Sequence, residues 1–210
     1  MGFVEAVEGR CSVRRFRPDP VPHDDVREMV RLATLAANAG NAQPWRFVAV
    51  DDRDTLERMR AAIRARLDEI AAWPEVAASG QAGETRKVLR SSSFFADAPL
   101  TVAVCTLPYS STADRLLALH GVTHEEHDRL RQRPDLQSVG AAVQLLCTAA
   151  HALGYGSCWM SAPVIAAPTL EDVLGIEPPA QLVALVPIGL PAGRSRARGR
   201  RPVDDVLRFV

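Results

Sequence analysis

Apolar residues recur at helical spacing between Asp24 and Ala37, at Val26, Met29, Val30, Ala33 and Ala36 or Ala37, and predict a helix there. Arg46 to Val50 reads as a short strand closed by Asp51-Asp52, and Asp54 is placed to cap a helix striped by Leu56, Met59, Ile63, Leu67 and Ile70. From Trp73-Pro74 to Phe95 the period disappears, and Gly80, Gly83 and Ser91-Ser92-Ser93 predict a mobile excursion. Leu100 to Cys105 is a strand. The polar stretch from Pro108 to Pro134 predicts a solvated surface helix. Val139 to Leu153 is apolar on nearly every face, with Gln144 and His151 as exceptions, so it must be buried on all sides, in a large core or in a dimer interface. Beyond Gly154, Tyr155 to Met160 is extended, Pro168 to Leu174 is a short helix ended by Gly175, Leu182 to Ile188 is a strand, and Val203 to Val210 is an amphipathic, extended tail. Helices and strands intermingle without a βαβ rhythm, which predicts the α+β class, with helices around one central sheet. With no repeat and no linker, residues 1–210 form a single domain.

Composition narrows the function. At 47% hydrophobic the 210 residues can fill a core. Lys+Arg and Asp+Glu number 25 each, so no global field attracts nucleic acid or an anionic membrane, and aromatics at 5% disfavour base stacking. Cys11, Cys105, Cys147 and Cys158 form no C-x-x-C pair. His124 and His127, three apart, lack a carboxylate–histidine signature, so no metal is expected. Three of the cysteines lie in apolar surroundings, as reduced core thiols do. No basic-then-apolar leader follows Met1, and no apolar run approaches the roughly 18 residues of a membrane span, so a cytoplasmic protein is expected.

Three clusters carry candidate chemistry. In Arg10-Cys11-Ser12-Val13-Arg14-Arg15-Phe16, an extended chain turns Arg10, Ser12 and Arg14 to one side, a face suited to a phosphate monoester; a solvated basic turn is the plainer alternative. Asn38-Ala39-Gly40-Asn41-Ala42-Gln43-Pro44-Trp45 offers side-chain amides that can read a heterocycle's edge, or simply ends a helix with an Asn/Gly cap. Pro44 keeps Gln43 out of the right-handed helical region. The run Arg194-Ser195-Arg196-Ala197-Arg198-Gly199-Arg200-Arg201 is a second phosphate-facing group or a solvated tail, since nothing aromatic interleaves it.

Taken in order, these clusters resemble the nitroreductase family. Arg-x-Ser-x-Arg-x-Phe from Arg10 is similar to its opening motif, and Asn41-Ala42-Gln43-Pro44-Trp45 to its N-x-Q-P-W signature. Gly140 to Met160 resembles its buried helix and following strand, and Arg198 to Val206 its basic C-terminal motif and swapped tail. The resemblance spans nearly the whole chain.

It implies a central, mostly antiparallel sheet surrounded by helices, and a homodimer with FMN at the interface and a domain-swapped tail. Arg10 and Ser12, with Arg200 and Arg198, would hold the phosphate, and Cys11 would contribute backbone where many relatives have a basic residue. Arg14 would stand near the pyrimidine edge, where its charge stabilises the reduced flavin. Asn38, Asn41 and Gln43 would face the cofactor, and the Ser161–Val164 turn, with Ala162 and Pro163, would pass close to flavin N5. NADH or NADPH would deliver hydride to the flavin, and a small nitro, quinone or enal acceptor would remove it, with no obligatory acid or base from the protein. A biosynthetic role, as in deazaflavin coenzyme synthesis, and a flavin-binding protein without turnover are the alternatives. The region Trp73 to Phe95 and the His120 to His127 stretch would shape the acceptor pocket.

Overall fold

A computed structural model describes residues 2–193, 195 and 199–210. The chain opens with α1 (Phe3–Gly9) and α2 (His23–Ala33), then enters β1 (Trp45–Val50). A helical stretch follows, α3 (Arg53–Ala71), α4 (Pro74–Ala78) and α5 (Thr85–Ser93), before β2 (Leu100–Thr106). An arm of α6 (Thr112–His120) and α7 (His124–Arg131) leads into α8 (Pro134–Ala152) and the two-residue β3 (Gly156–Ser157). The helix α9 (Ala167–Leu174) and β4 (Gln181–Gly189) complete the core.

The sheet has the order β1-β2-β4-β3, and every pair of neighbours is antiparallel. β2 is buried along its whole length because helices cover both faces of the sheet. Leu100, Val102 and Val104 meet Met29 of α2 and Val143 and Leu146 of α8, whereas Ala103 and Cys105 meet Leu56, Met59 and Ile63 of α3 and Leu170 of α9. A strand covered on both sides reads as a continuous apolar run, and this one does, interrupted only by Thr101, whose hydroxyl donates to the Phe95 carbonyl at 3.0 Å. The pairing register slips between Val104 and Cys105, where Val183 is the extra residue. The bulge leaves Ala184 on the α8 side while both Leu182 and Leu185 face α3 and α9.

The α+β class and the helix-covered antiparallel sheet match the expectation. Several details differ. The cap of α3 is Asp52, whose carboxylate accepts from the Thr55 N–H at 2.8 Å, and not Asp54. Residues 73–95 are largely helical, and their end, from Val88 on, packs on the core. The Ser92 and Ser93 hydroxyls fold back onto the carbonyls of Val88 and Leu89 at 2.7 and 2.6 Å, so the serine run continues a helix. Val88, Leu89 and Phe94 rest on the α3 side of the core. The sequence pattern also misses α1, whose Phe3, Val4 and Val7 are exposed. The tail holds a 3-10 turn at Val203–Asp205 rather than a continuous strand.

One close approach fixes the N-terminal strand. A Cβ on Gly156 would lie 2.7–2.8 Å from the side-chain carbons of Val13, which is 5% exposed. Gly156→Ala is expected to lower stability by about 1–3 kcal/mol through overpacking. Adding Val13→Ala should make the double variant less destabilised than the sum of the two single changes. Urea unfolding measures both, and a neutral Gly156→Ala would refute the tight packing.

Candidate functional site

The segment after α1 is extended, as its residue pattern requires. Ser12 bridges Ser157 in parallel, the Val13 N–H donates to the Ser157 carbonyl at 2.9 Å, and Arg17 N–H donates to Leu190 O at 2.8 Å. The strand therefore lies against β3 and the chain leaving β4. Ser12 hydrogen-bonds toward Cys158 and the charges of Arg14 and Arg10 act on the same thiol; in an extended strand residues 10, 12 and 14 alternate onto one face. Among the described residues neither Arg10 nor Arg14 has a carboxylate partner. Two uncompensated cations flanking a hydroxyl make an anion-seeking surface. Cys11 is half-buried and, with Arg10, His151, Ser157 and Ser195, lines a pocket of about 290 Å³.

The Asn38–Gln43 loop is held in an unusual shape. Gly40, Asn41 and Gln43 have φ of 58°, 51° and 49°, all left-handed. Pro44 does exclude Gln43 from the right-handed region, and Gln43 adopts the left-handed one, which is costly for a residue with a long side chain. Braces offset that cost. The Asn38 carboxamide oxygen accepts from the Gln43 N–H at 2.8 Å, its Nδ2 donates to the Ala36 carbonyl at 3.2 Å, and the Ala39 N–H donates to Ser138 Oγ on α8 at 3.1 Å. The Asn38 amide thus closes the loop, whereas Asn41 and Gln43 are exposed.

Downstream, Met160 pairs with Leu185 through N–H···O bonds of 2.9 and 3.0 Å, and the chain then turns through a 3-10 segment, Ala162–Ala166. Ala162 is exposed and Pro163 buried. The five residues from Ser157 to Ala162 reach at most about 17 Å. They join the cationic strand to this turn. Arg200 is exposed, its guanidinium donating to the Gly199 carbonyl at 3.4 Å, and Arg198 lies outside the described residues. Burial disfavours the thiolate form of the core cysteines. Burial pushes Cys105 up to about 11, the Glu171 charge adding to the rise and Arg46 opposing it. Burial also raises Cys158, against the pull of Arg14, Ser12 and Arg10. Among the described residues no group of three or more His, Cys, Asp or Glu is placed to hold a metal ion, and no helix is long and apolar enough to cross a membrane.

The α6–α7 arm is organised around a buried carboxylate rather than being wholly solvated. Asp114 accepts from Arg131 Nε at 2.6 Å and meets His127 Nε2 at 3.0 Å, while Arg131 Nη2 also donates to Ser111 Oγ at 3.2 Å. Burial works to raise the Asp114 pKa, but the bonds from Arg131 and Ser111 and the Arg131 charge hold it well below the usual carboxylate range. His127 is thereby drawn inward, while His124 stays exposed. Sequence reasoning misses two aromatic residues near the loops. Tyr109 lies against Gly40, and Trp159, 46% exposed, lies over Gly140 of α8. Neither contact is local in sequence, so no periodicity announces it.

Residues 7–190 match the model of the nitroreductase family. The chain belongs to the nitroreductase family, whose fold and motif order it carries. Among its relatives, the 5,6-dimethylbenzimidazole synthase of Rhodospirillum rubrum is 33% identical over 215 residues, covering 99% of this chain and 88% of that one. A solved BluB-like flavoprotein from Clostridium difficile 630 superposes with a TM-score of 0.92 at 30% identity, covering 100% of this chain and 99% of that one. A nitroreductase with bound FMN from Desulfitobacterium hafniense DCB-2 shares the fold, with a TM-score of 0.68 at 18% identity over 99% of this chain and 97% of that one.

The depressed Asp114 pKa gives a signed pH dependence. A carboxylate whose folded value lies below its unfolded value of about 3.9 contributes stability that is complete above that unfolded value. The contribution is lost as pH falls toward the folded value. Asp114→Asn is expected to cost on the order of 1.5–3 kcal/mol near neutrality and to flatten the fall in melting temperature below about pH 4. Thermal melts of both proteins across pH 2–7 measure this; parallel curves would show that Asp114 is not held by Arg131.

Proposed function

We propose that the chain is an FMN-dependent oxidoreductase that passes hydride from NADH or NADPH to a small nitroaromatic, quinone or enal acceptor in alternating half-reactions. The observation that carries this reading is the surface formed by Arg10, Ser12 and Arg14, two cations without carboxylate partners among the described residues on either side of a hydroxyl. Its charge and spacing fit a phosphate monoester continued by a polar, planar ring. When bound, the flavin supplies the redox chemistry, taking hydride at N5 and releasing it there.

Arg10 and Ser12, with Arg198 and Arg200 from the tail, hold the phosphate, and Cys11 contributes backbone. Arg14 faces the pyrimidine edge, where a fixed cation favours the anionic reduced ring. Asn41 and Gln43 offer exposed amides to the ring edge, while Asn38 closes the loop that carries them. Ala162 and Pro163 lie beside N5. No side chain of the chain itself needs to act as an obligatory acid or base. Residues 1–210 act as one domain. Val203, Val206, Leu207, Phe209 and Val210 of the tail are exposed, as are Phe3, Val4 and Val7 of α1. Apolar surface of this extent favours a homodimer in which the tail lies on the partner and each site draws on both copies.

A second reading is favoured by the relatives named 5,6-dimethylbenzimidazole synthase, one 33% and one 29% identical to this chain. In that reading the flavin site serves a biosynthetic reaction rather than general acceptor reduction.

The two readings separate in one experiment. The FMN-loaded protein is mixed anaerobically with NADH or NADPH, then given acceptors or oxygen, and its flavin and products are resolved by chromatography. Bleaching followed by full recovery of FMN with a reduced acceptor supports the reductase. Loss of flavin with appearance of 5,6-dimethylbenzimidazole supports the synthase, and a flavin that never bleaches argues for binding without turnover. Sedimentation of the same sample at micromolar concentration should show two copies.

Site variants test the cofactor contacts. Arg10→Ala should weaken FMN binding by about tenfold or more, the equivalent of one charge-assisted contact of roughly 1.5–3 kcal/mol. Arg64→Ala, on the exposed face of α3, should not change it. Arg14→Gln should change affinity less than Arg10→Ala, but lower the flavin midpoint potential by about 30 mV, roughly 1.4 kcal/mol for two electrons. Equal FMN affinity in the two alanine variants, or an unchanged potential in Arg14→Gln, removes the corresponding assignment.

A further inference from the structure

Tyr109 belongs to none of the family motifs, yet it touches the loop that carries one of them. It follows Leu107, whose N–H donates to the Pro44 carbonyl at 3.0 Å and so ties the end of β2 to the start of β1. The phenol then lies over Gly40. A Cβ there would meet the Tyr109 hydroxyl oxygen at 3.2 Å and ring carbons at 3.5 and 3.8 Å.

We propose that Tyr109 is a positioning residue that holds the apex of the Asn38–Gln43 loop and so orders the flavin site. The inference rests on the flavin reading given above. Besides the turn's own backbone bonds, Asn41 N–H to the Asn38 carbonyl at 3.4 Å and Ala42 N–H to the Ala39 carbonyl at 3.1 Å, three braces from side chains hold the loop, and they act at different points. Asn38 joins the two ends by accepting from Gln43, and Ser138 holds the backbone at Ala39. Neither reaches the apex, where left-handed Gly40 and Asn41 follow one another. A free apex of this kind relaxes toward the broad extended and right-handed regions, carrying the Asn41 amide with it. The Tyr109 ring occupies the space into which Gly40 would move.

The test uses full-length protein reconstituted with FMN. The readouts are the FMN dissociation constant by quenching of flavin fluorescence, the visible circular dichroism of the bound flavin, and amide exchange of residues 39–43 with and without FMN. Tyr109→Ala should weaken FMN by about tenfold, change the visible dichroism and speed exchange in the loop. Tyr109→Phe keeps the ring and should restore all three to near wild type. If Tyr109→Ala does not fold, Tyr109→Leu, which keeps apolar bulk without the ring, makes the same comparison. Wild-type affinity and dichroism in the alanine or leucine variant would overturn the proposal. A wild-type protein that takes up no FMN would overturn the flavin reading instead. In that case loop exchange in the apo proteins still reports on the brace, and an unchanged rate in the Tyr109 variant would remove that as well.

Discussion

The molecule is arranged around a strand buried along its whole length. β2 is buried end to end, so its backbone groups must all find partners in the sheet and its side chains must be covered from above and below. β1 and β4 meet the first requirement, pairing antiparallel on either side. The second calls for two helical layers, α2 with α8 on one face and α3 with α9 on the other. The cationic strand, the Asn38–Gln43 loop and the Ala162–Ala166 turn are all attached to the ends or edges of this slab. Their relative placement is therefore set by a packed core, not by loop flexibility.

The resulting site is assembled from pieces distant in sequence and joined by a few short contacts. Val13 against Gly156 brings the N-terminal cations to the chain beyond α8, and the Met160–Leu185 pair fixes where that chain turns. Membership of the nitroreductase family and the likeness to a BluB-like flavoprotein agree with this geometry. They also set the central functional question, whether the flavin is an electron carrier or takes part in a biosynthetic step, as the name of the Rhodospirillum rubrum relative suggests for that protein.

Much of this was legible in the residues. The apolar stripe of Leu56, Met59, Ile63 and Leu67 marked α3, and the uninterrupted run from Leu100 marked a strand covered on both faces. Alternation placed Arg10, Ser12 and Arg14 together. What escaped depended on contacts that a linear pattern does not carry. Ser91 to Ser93 look like a loop until their hydroxyls are seen bonded to carbonyls one turn back. The short α1 shows little burial to produce a stripe, with only Ala6 buried. The bulge at Val183 lies inside an apolar run in which one more residue leaves no mark. Asn38 looked like a ligand for something outside the chain because an amide's partner cannot be read from its position, and here that partner is the Gln43 backbone.

The left-handed residues of the Asn38–Gln43 loop have a consequence for how the protein evolves or is engineered. A non-glycine residue in that region carries a penalty of order 1–3 kcal/mol, and here the folded scaffold bears it at Asn41 and Gln43. A ligand that needs this loop shape then meets it ready-made and loses little freedom on arrival. Selection for thermal stability alone would therefore favour residues without that penalty, such as glycine at position 43, which is as free to leave the left-handed region as to occupy it. The same replacements would return the ordering cost to the binding step. Stability and ligand affinity are opposed at these positions, so a more heat-resistant variant obtained there should be the poorer binder.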